Sequence, residues 1–171
     1  MEQTGIDIGV DAFNARLKAL DQQEALTLWN EAKKVPAFSP DRYSIGLILI
    51  PLVRQQQYDE LNLLLAKVVK EHEKHVASDA FVAFLDILVS NSETNAAESI
   101  FHVFIDPLNK QEQGLVAAKA AHFNLILRAY RDEIRSRRGK YDAADTQAFA
   151  DKAKELFGRM RESSMNGSID S

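Results

Sequence analysis

The sequence predicts an all-α protein, an α-solenoid of about four antiparallel helix–turn–helix repeats. Three observations predict it. Gly and Pro, the residues that interrupt helices, number only 7 and 4 in 171 residues,. Apolar residues recur at i, i+3, i+4 and i+7, a spacing that sets four side chains on one stripe of a helix. Three of these stripes begin at residues 25, 61 and 97, which are 36 apart. Self-similarity at a period of about 20–50 residues marks stacked supersecondary units, each unable to bury its outer face alone.

The elements follow in order. A unit over about 9–41 pairs Phe13, Leu17 and Leu20, interrupted by Arg16, with Ala25, Leu28, Trp29 and Ala32. Its two stripes start only 12 residues apart, which places a tight turn near Asp21-Gln22-Gln23. Trp29, with apolar stripe-mates, is expected in the core. The second unit, about 42–77, pairs Ile45, Ile48, Leu49 and Leu52 with Leu61, Leu64, Leu65 and Val68. Pro51 lies inside its first helix and should kink it or end it early.

The third unit, about 78–119, pairs Phe81, Phe84, Leu85 and Leu88 with Ala97, Ile100, Phe101 and Phe104, and Asp106-Pro107 closes its second helix,. The fourth, about 120–162, pairs Phe123, Ile126, Leu127 and Tyr130 with Ala153, Leu156, Phe157 and Met160. Here the stripes start 30 residues apart rather than 16, which implies an insertion of 14 residues over about 131–145. Asp145 is the expected N-cap of the helix that follows. Residues 1–8 and 163–171 read as tails, the latter polar. Because neighbouring hairpins must stack, Phe101 and Phe157 are both expected to be buried between consecutive units.

Composition removes whole classes of chemistry. The chain has no Cys, so disulfides, Cys-ligated zinc, iron–sulfur clusters and thiol catalysis are excluded,. No run approaches the ~20 apolar residues of a spanning helix, so membrane insertion is not expected. The first ten residues carry Glu2 and Asp7 and no basic start, unlike a targeting peptide,. His72 and His75 stand at i, i+3 without a third ligand, which fits helix-end histidines better than a metal site. There is no Gly-rich phosphate loop and no GxSxG motif. The expectation is a non-catalytic protein with no metal and no cofactor.

One stretch is distinctive. His122-Phe123-Asn124-Leu125-Ile126-Leu127-Arg128-Ala129-Tyr130, followed by Ala153-Lys154-Glu155-Leu156-Phe157-Gly158-Arg159-Met160, resembles the pentatricopeptide repeat. That family opens its first helix on an aromatic–Asn pair and builds its second on Ala-x-x-Leu-Phe-x-x-Met. The first unit is similar, with Phe13-Asn14, Ala25-x-x-Leu-Trp and Ser39-Pro40-Asp41. Val82 stands where the third unit would carry Asn, and the second unit is the most degenerate. The resemblance covers about residues 9–171.

It implies a right-handed superhelix of the tetratricopeptide and pentatricopeptide type, whose inner groove of first helices binds single-stranded RNA in a mitochondrion or chloroplast. It also implies base contacts from Asn14 with Asp41, a pairing that favours uracil in the family, and from Asn124. The middle units would place Gly46 with Ala77 and Val82 with Lys119, and neither Gly nor Val can read a base edge.

Charge bears on that implication. The formal net charge is −4, yet residues 128–140 hold Arg128, Arg131, Arg135, Arg137, Arg138 and Lys140 against Asp132 and Glu133, a local +4. Arg131, Arg135, Arg137 and Arg138 are the candidate phosphate contacts, with Tyr141 beside them able to stack on a base. A solvated, charged inter-helix loop is the plainer alternative. On either reading Arg131 to Lys140 should be exposed or mobile. Two functions stay open: an RNA-binding or RNA-processing factor, and a protein-interaction scaffold in a larger complex such as an organellar ribosome or enzyme assembly. The acidic balance favours the second, the basic insertion the first. The chain also ends about where another repeat would begin, as a segment of a longer repeat protein would.

Overall fold

The structure is a computed structural model and describes residues 9–106, 116–137 and 143–165. Among these the chain is all-helical, with no strand. The helices are α1 (Val10–Ala19), α2 (Gln22–Ala32), α3 (Arg42–Arg54), α4 (Tyr58–Glu71), α5 (Lys74–Ser90), α6 (Thr94–Ile100), α7 (Ala120–Arg137) and α8 (Ala143–Met165). A π-helical turn, Phe101–Ile105, extends α6. The chain forms two compact units, Met1–Ala66 and Lys67–Ser171.

In the first unit α3 lies against both α1 and α2. Asp21 starts α2 with a reciprocal capping box: its carboxylate accepts from the Gln23 and Glu24 N–H groups, and Glu24 accepts the Asp21 N–H,. That cap produces the tight turn the spacing implies. The predicted stripe residues Phe13, Leu17, Ala25, Leu28, Trp29, Ile45, Ile48, Leu49, Leu52, Leu61 and Leu65 are all buried. Phe38, outside every stripe, completes an aromatic cluster, its ring centroid 4.6 Å from Phe13 and 6.3 Å from Trp29. Trp29 is fully buried, and its indole N–H donates to Glu60 at 2.7 Å. The same carboxylate pairs with Lys33. Pro51 is buried inside α3, which ends three residues later at Arg54.

In the second unit α7 lies against α5, α6 and α8. Phe81 meets Phe84 and Phe104 at 5.7 and 5.3 Å, and Phe101 meets Phe123 edge-on at 5.0 Å. The Phe101–Phe123 contact joins the trailing helix of one predicted hairpin to the leading helix of the next.

Two inter-helix turns share one backbone geometry. After α3, the Gln57 N–H bonds to the Leu52 carbonyl and the Gln56 N–H to that of Val53. After α5, Glu93 bonds to Leu88 and Ser92 to Val89. Both are Schellman closures, and each requires a left-handed residue after the cap. Gln56 (φ 58°) and Ser92 (φ 61°) fill that position, 36 residues apart.

Several boundaries differ from the sequence expectation. Helix α5 begins at Lys74 instead of after residue 77, because Ala77 and Ala80 extend its buried stripe. Helix α7 runs to Arg137, and with the first three residues of α8 most of the expected insertion is helical. Its Arg residues are good helix formers, and Ile134 continues the Tyr130 stripe one turn on,. Asp145 is the third residue of α8 and not its N-cap, and α8 continues to Met165 into the expected tail. Arg138, Lys140 and Tyr141, with tail residues 1–8 and 166–171, lie outside the described residues. Phe157 is the clear correction: it is 54% exposed, not buried. Helix α8 turns Leu156 inward, and Phe157 sits about 100° further round the helix, where nothing described covers it,.

Phe101→Ala should therefore cost about 3–5 kcal/mol in urea unfolding, while Phe157→Ala should stay within about 0.5 kcal/mol of the parent. Gln56→Gly and Ser92→Gly should each raise stability, by about 1 kcal/mol, because glycine carries no Cβ penalty in the left-handed region.

Candidate nucleic-acid interface

The leading helices α5 and α7 of the third and fourth units lie side by side, and a buried polar joint fixes the start of α7 on α5. His122 is fully buried. Its Nδ1 accepts the Lys119 N–H at 3.0 Å, which leaves the proton on Nε2 to be donated to the Ser78 carbonyl at 3.0 Å,. The Ser78 hydroxyl donates to the Ala117 carbonyl at 2.7 Å, and Lys119, just ahead of α7, pairs with Asp79 of α5. Burial pushes the His122 imidazole down to about 4, with the Lys119 charge acting the same way and the Ser78 bond opposing.

Between these helices runs an open cleft of about 530 Å³. Its apolar lining is Val82 and Ala83 from α5 with Ala121 and Leu125 from α7. Its polar lining is Asp79, Asp86, Asn124 and Arg128. Asn124 is exposed and makes no side-chain hydrogen bond to a described residue. Arg128 donates to Asp86 at 2.6 Å. From Asn124 the residues Arg128, Arg131 and Arg135 follow at spacings of 4, 3 and 4, so the four share one stripe of α7,. Arg131 and Arg135 are exposed. Arg131 bonds its neighbour Asp132 at 2.9 Å, and this bond holds the Asp132 carboxyl below the usual range. Arg135 makes no ion pair with a described residue. Arg137 is the last residue of α7, and Arg138 lies outside the described residues.

Asn14 and Asp41 meet, but in another role. Asn14 is buried, with Nδ2 donating to Asp41 Oδ1 at 3.2 Å and Oδ1 accepting from the Ser44 hydroxyl at 2.6 Å. Asp41 is the N-cap of α3 and accepts the Ser44 N–H at 2.7 Å. Burial disfavours its charge, but the bonds from Ser44, Asn14 and Tyr43 outweigh that and hold its carboxyl below the ordinary range. The pair fastens α1 to the start of α3. A base edge could reach the Asn14 amide only by displacing Ser44 or Asp41.

Sequence reasoning missed Asp79 and Asp86, whose carboxylates sit on the cleft and neutralise Lys119 and Arg128. Their spacing of seven on α5 was the available signal. The described residues hold no group of three or more His, Asp or Glu side chains able to bind a metal ion. No described helix is long and apolar enough to cross a membrane. Comparison with protein-family models, with characterised proteins and with solved structures finds no match to this chain.

The His122 joint makes a pH prediction. An unfolded histidine binds its proton near 6.5 and the folded one only near 4, so the unfolded state holds more protons between those values,. Stability from this group is complete above about pH 6.5 and declines as pH falls towards 4, by roughly 3 kcal/mol. Urea titrations across that range should show the decline in the parent and a flatter profile in His122→Gln.

Proposed function

We propose that this chain is a non-catalytic RNA-binding module of the pentatricopeptide type, built from solenoid-type helical repeats and serving RNA processing or assembly in an organelle. One observation carries the reading: a single stripe of α7 presents an unengaged amide, Asn124, beside an apolar-floored cleft, followed by Arg128, Arg131 and Arg135. A nucleobase can rest on Val82 and Leu125 while the Asn124 amide, at once donor and acceptor, meets its Watson–Crick edge. Arg131 and Arg135 stand about 10 and 16 Å further along the helix axis and would take backbone phosphates. Arg137 and Arg138 would extend that set. In the first unit the Asn14–Asp41 pair contributes to folding first, so base recognition rests on Asn124.

A second reading, a protein-interaction scaffold, draws on the two carboxylates that balance the cleft and on the buried state of Asn14.

Fluorescence anisotropy with a pool of single-stranded RNA over a salt series separates the two. RNA recognition predicts micromolar or tighter binding at low salt that falls steeply as salt rises. Arg131→Gln and Arg135→Gln should each flatten the log–log slope by about 0.7. Asn124→Ala should weaken binding by about 1 kcal/mol and leave the slope unchanged. No binding at low salt would discard the RNA reading and leave the scaffold in place.

A further inference from the structure

In the second unit, the trailing helix of one hairpin is covered by the leading helix of the next, with the Phe123 ring standing on Phe101. The corresponding position one hairpin further along is Phe157, and it stands 54% exposed on α8. Half-buried Ala153 and Met160 flank it at i−4 and i+3, and exposed Arg161 and Lys154, the latter with a surface ion pair to Asp151, at i+4 and i−3. The result is an aromatic knob with a basic edge.

A complementary surface lies on the first hairpin. Helices α1 and α2 enclose an open cleft of about 320 Å³, with Leu20 and Leu28 among its lining, Glu24 and Glu31 on α2 beside them and Arg16 of α1 also on it, which leaves the acidic groups in excess. Glu31 is exposed and makes no ion pair with a described residue.

We propose that α8 docks into the α1–α2 cleft of a second copy of this chain, Phe157 entering against Leu20 and Leu28 while Lys154 and Arg161 meet Glu24 and Glu31. The contact continues, between molecules, the stacking that Phe101 and Phe123 make within one. A symmetric pairing of α8 with α8 would bring Lys154 and Arg161 onto their own counterparts, and like charges in contact are penalised. The two surfaces differ, so each contact is head to tail, and copies associate as rings, a reciprocal pair included, or as open chains.

Sedimentation velocity over a wide concentration range tests this, with RNA absent. The expected result is a weight-average mass that rises above the monomer as concentration increases. Phe157→Glu should remove the knob and Thr27→Arg should obstruct the cleft. Both replace exposed residues, so circular dichroism should show the fold intact. Each variant alone should sediment as a monomer, and their equimolar mixture, with one knob and one cleft still functional, should form a dimer and nothing larger. Arg161→Glu should weaken association about tenfold and Glu31→Arg added to it should restore it. A parent that stays monomeric throughout, or association unchanged by Phe157→Glu or by Thr27→Arg, would each overturn the proposal.

Discussion

The structure depends on a shortage of shielding. Each helix here is a two- to six-turn segment with one greasy ridge, and a single antiparallel partner covers only part of it. Burying a Phe or Leu side chain is worth about 1.5–3 kcal/mol, so a ridge left in water forfeits most of what would stabilise its helix. Hence α3 fills the trough between α1 and α2, and α7 serves α5, α6 and α8 together. The ring contact between Phe101 and Phe123 is that requirement expressed in one pair of residues. Where it fails to be met, at Phe157, the surface changes character at once.

Several polar groups enter this interior with their bonding satisfied. His122 is admitted because one ring nitrogen has a backbone donor and the other a backbone acceptor. Asn14 is admitted because Asp41 and Ser44 answer its amide. Tyr130 is buried beside Glu98, and burial first, then that carboxylate, push its phenol well above the usual range. Each arrangement locks a helix start or a helix crossing. A polar side chain can therefore look like a recognition element in the sequence and act as a fastener in the fold.

This divides what the sequence made legible from what it did not. Stripe residues such as Ile48, Phe81 and Ile126 could be placed because helical periodicity is a direct image of burial. The joints after α3 and α5 could not, because Gln56 and Ser92 occupy positions where glycine is the usual flag, and their side chains give no sign of a left-handed backbone. Phe38 escaped because it belongs to no helix, although its ring completes the cluster around Trp29. At the candidate interface the Asn124–Arg135 stripe was visible as residue types and spacing. What could not be seen was α5 beside it, since Asp79 and Asp86 reach the cleft only through tertiary packing. The structural bond of Asn14 was hidden for the same reason: its partner Asp41 is 27 residues away in sequence.

The π-helical turn at Phe101–Ile105 has an effect beyond its five residues. The Asp106 N–H reaches back five positions to the Phe101 carbonyl, so this turn holds one residue more than an α-helical turn would,. Asp106, the residue that closes the turn, is rotated by about 100° from where an uninterrupted α-helix would put it,. Asp106 thereby ends up inside, only 3% exposed, where a lone carboxylate could not remain charged,. Arg159 of α8 supplies the compensating charge, and the His102 ring lies within hydrogen-bond distance of the same carboxylate. A single surplus residue in one helix has thus been converted into the electrostatic bolt that holds another, and the seating of α8 is a distant product of a local winding fault.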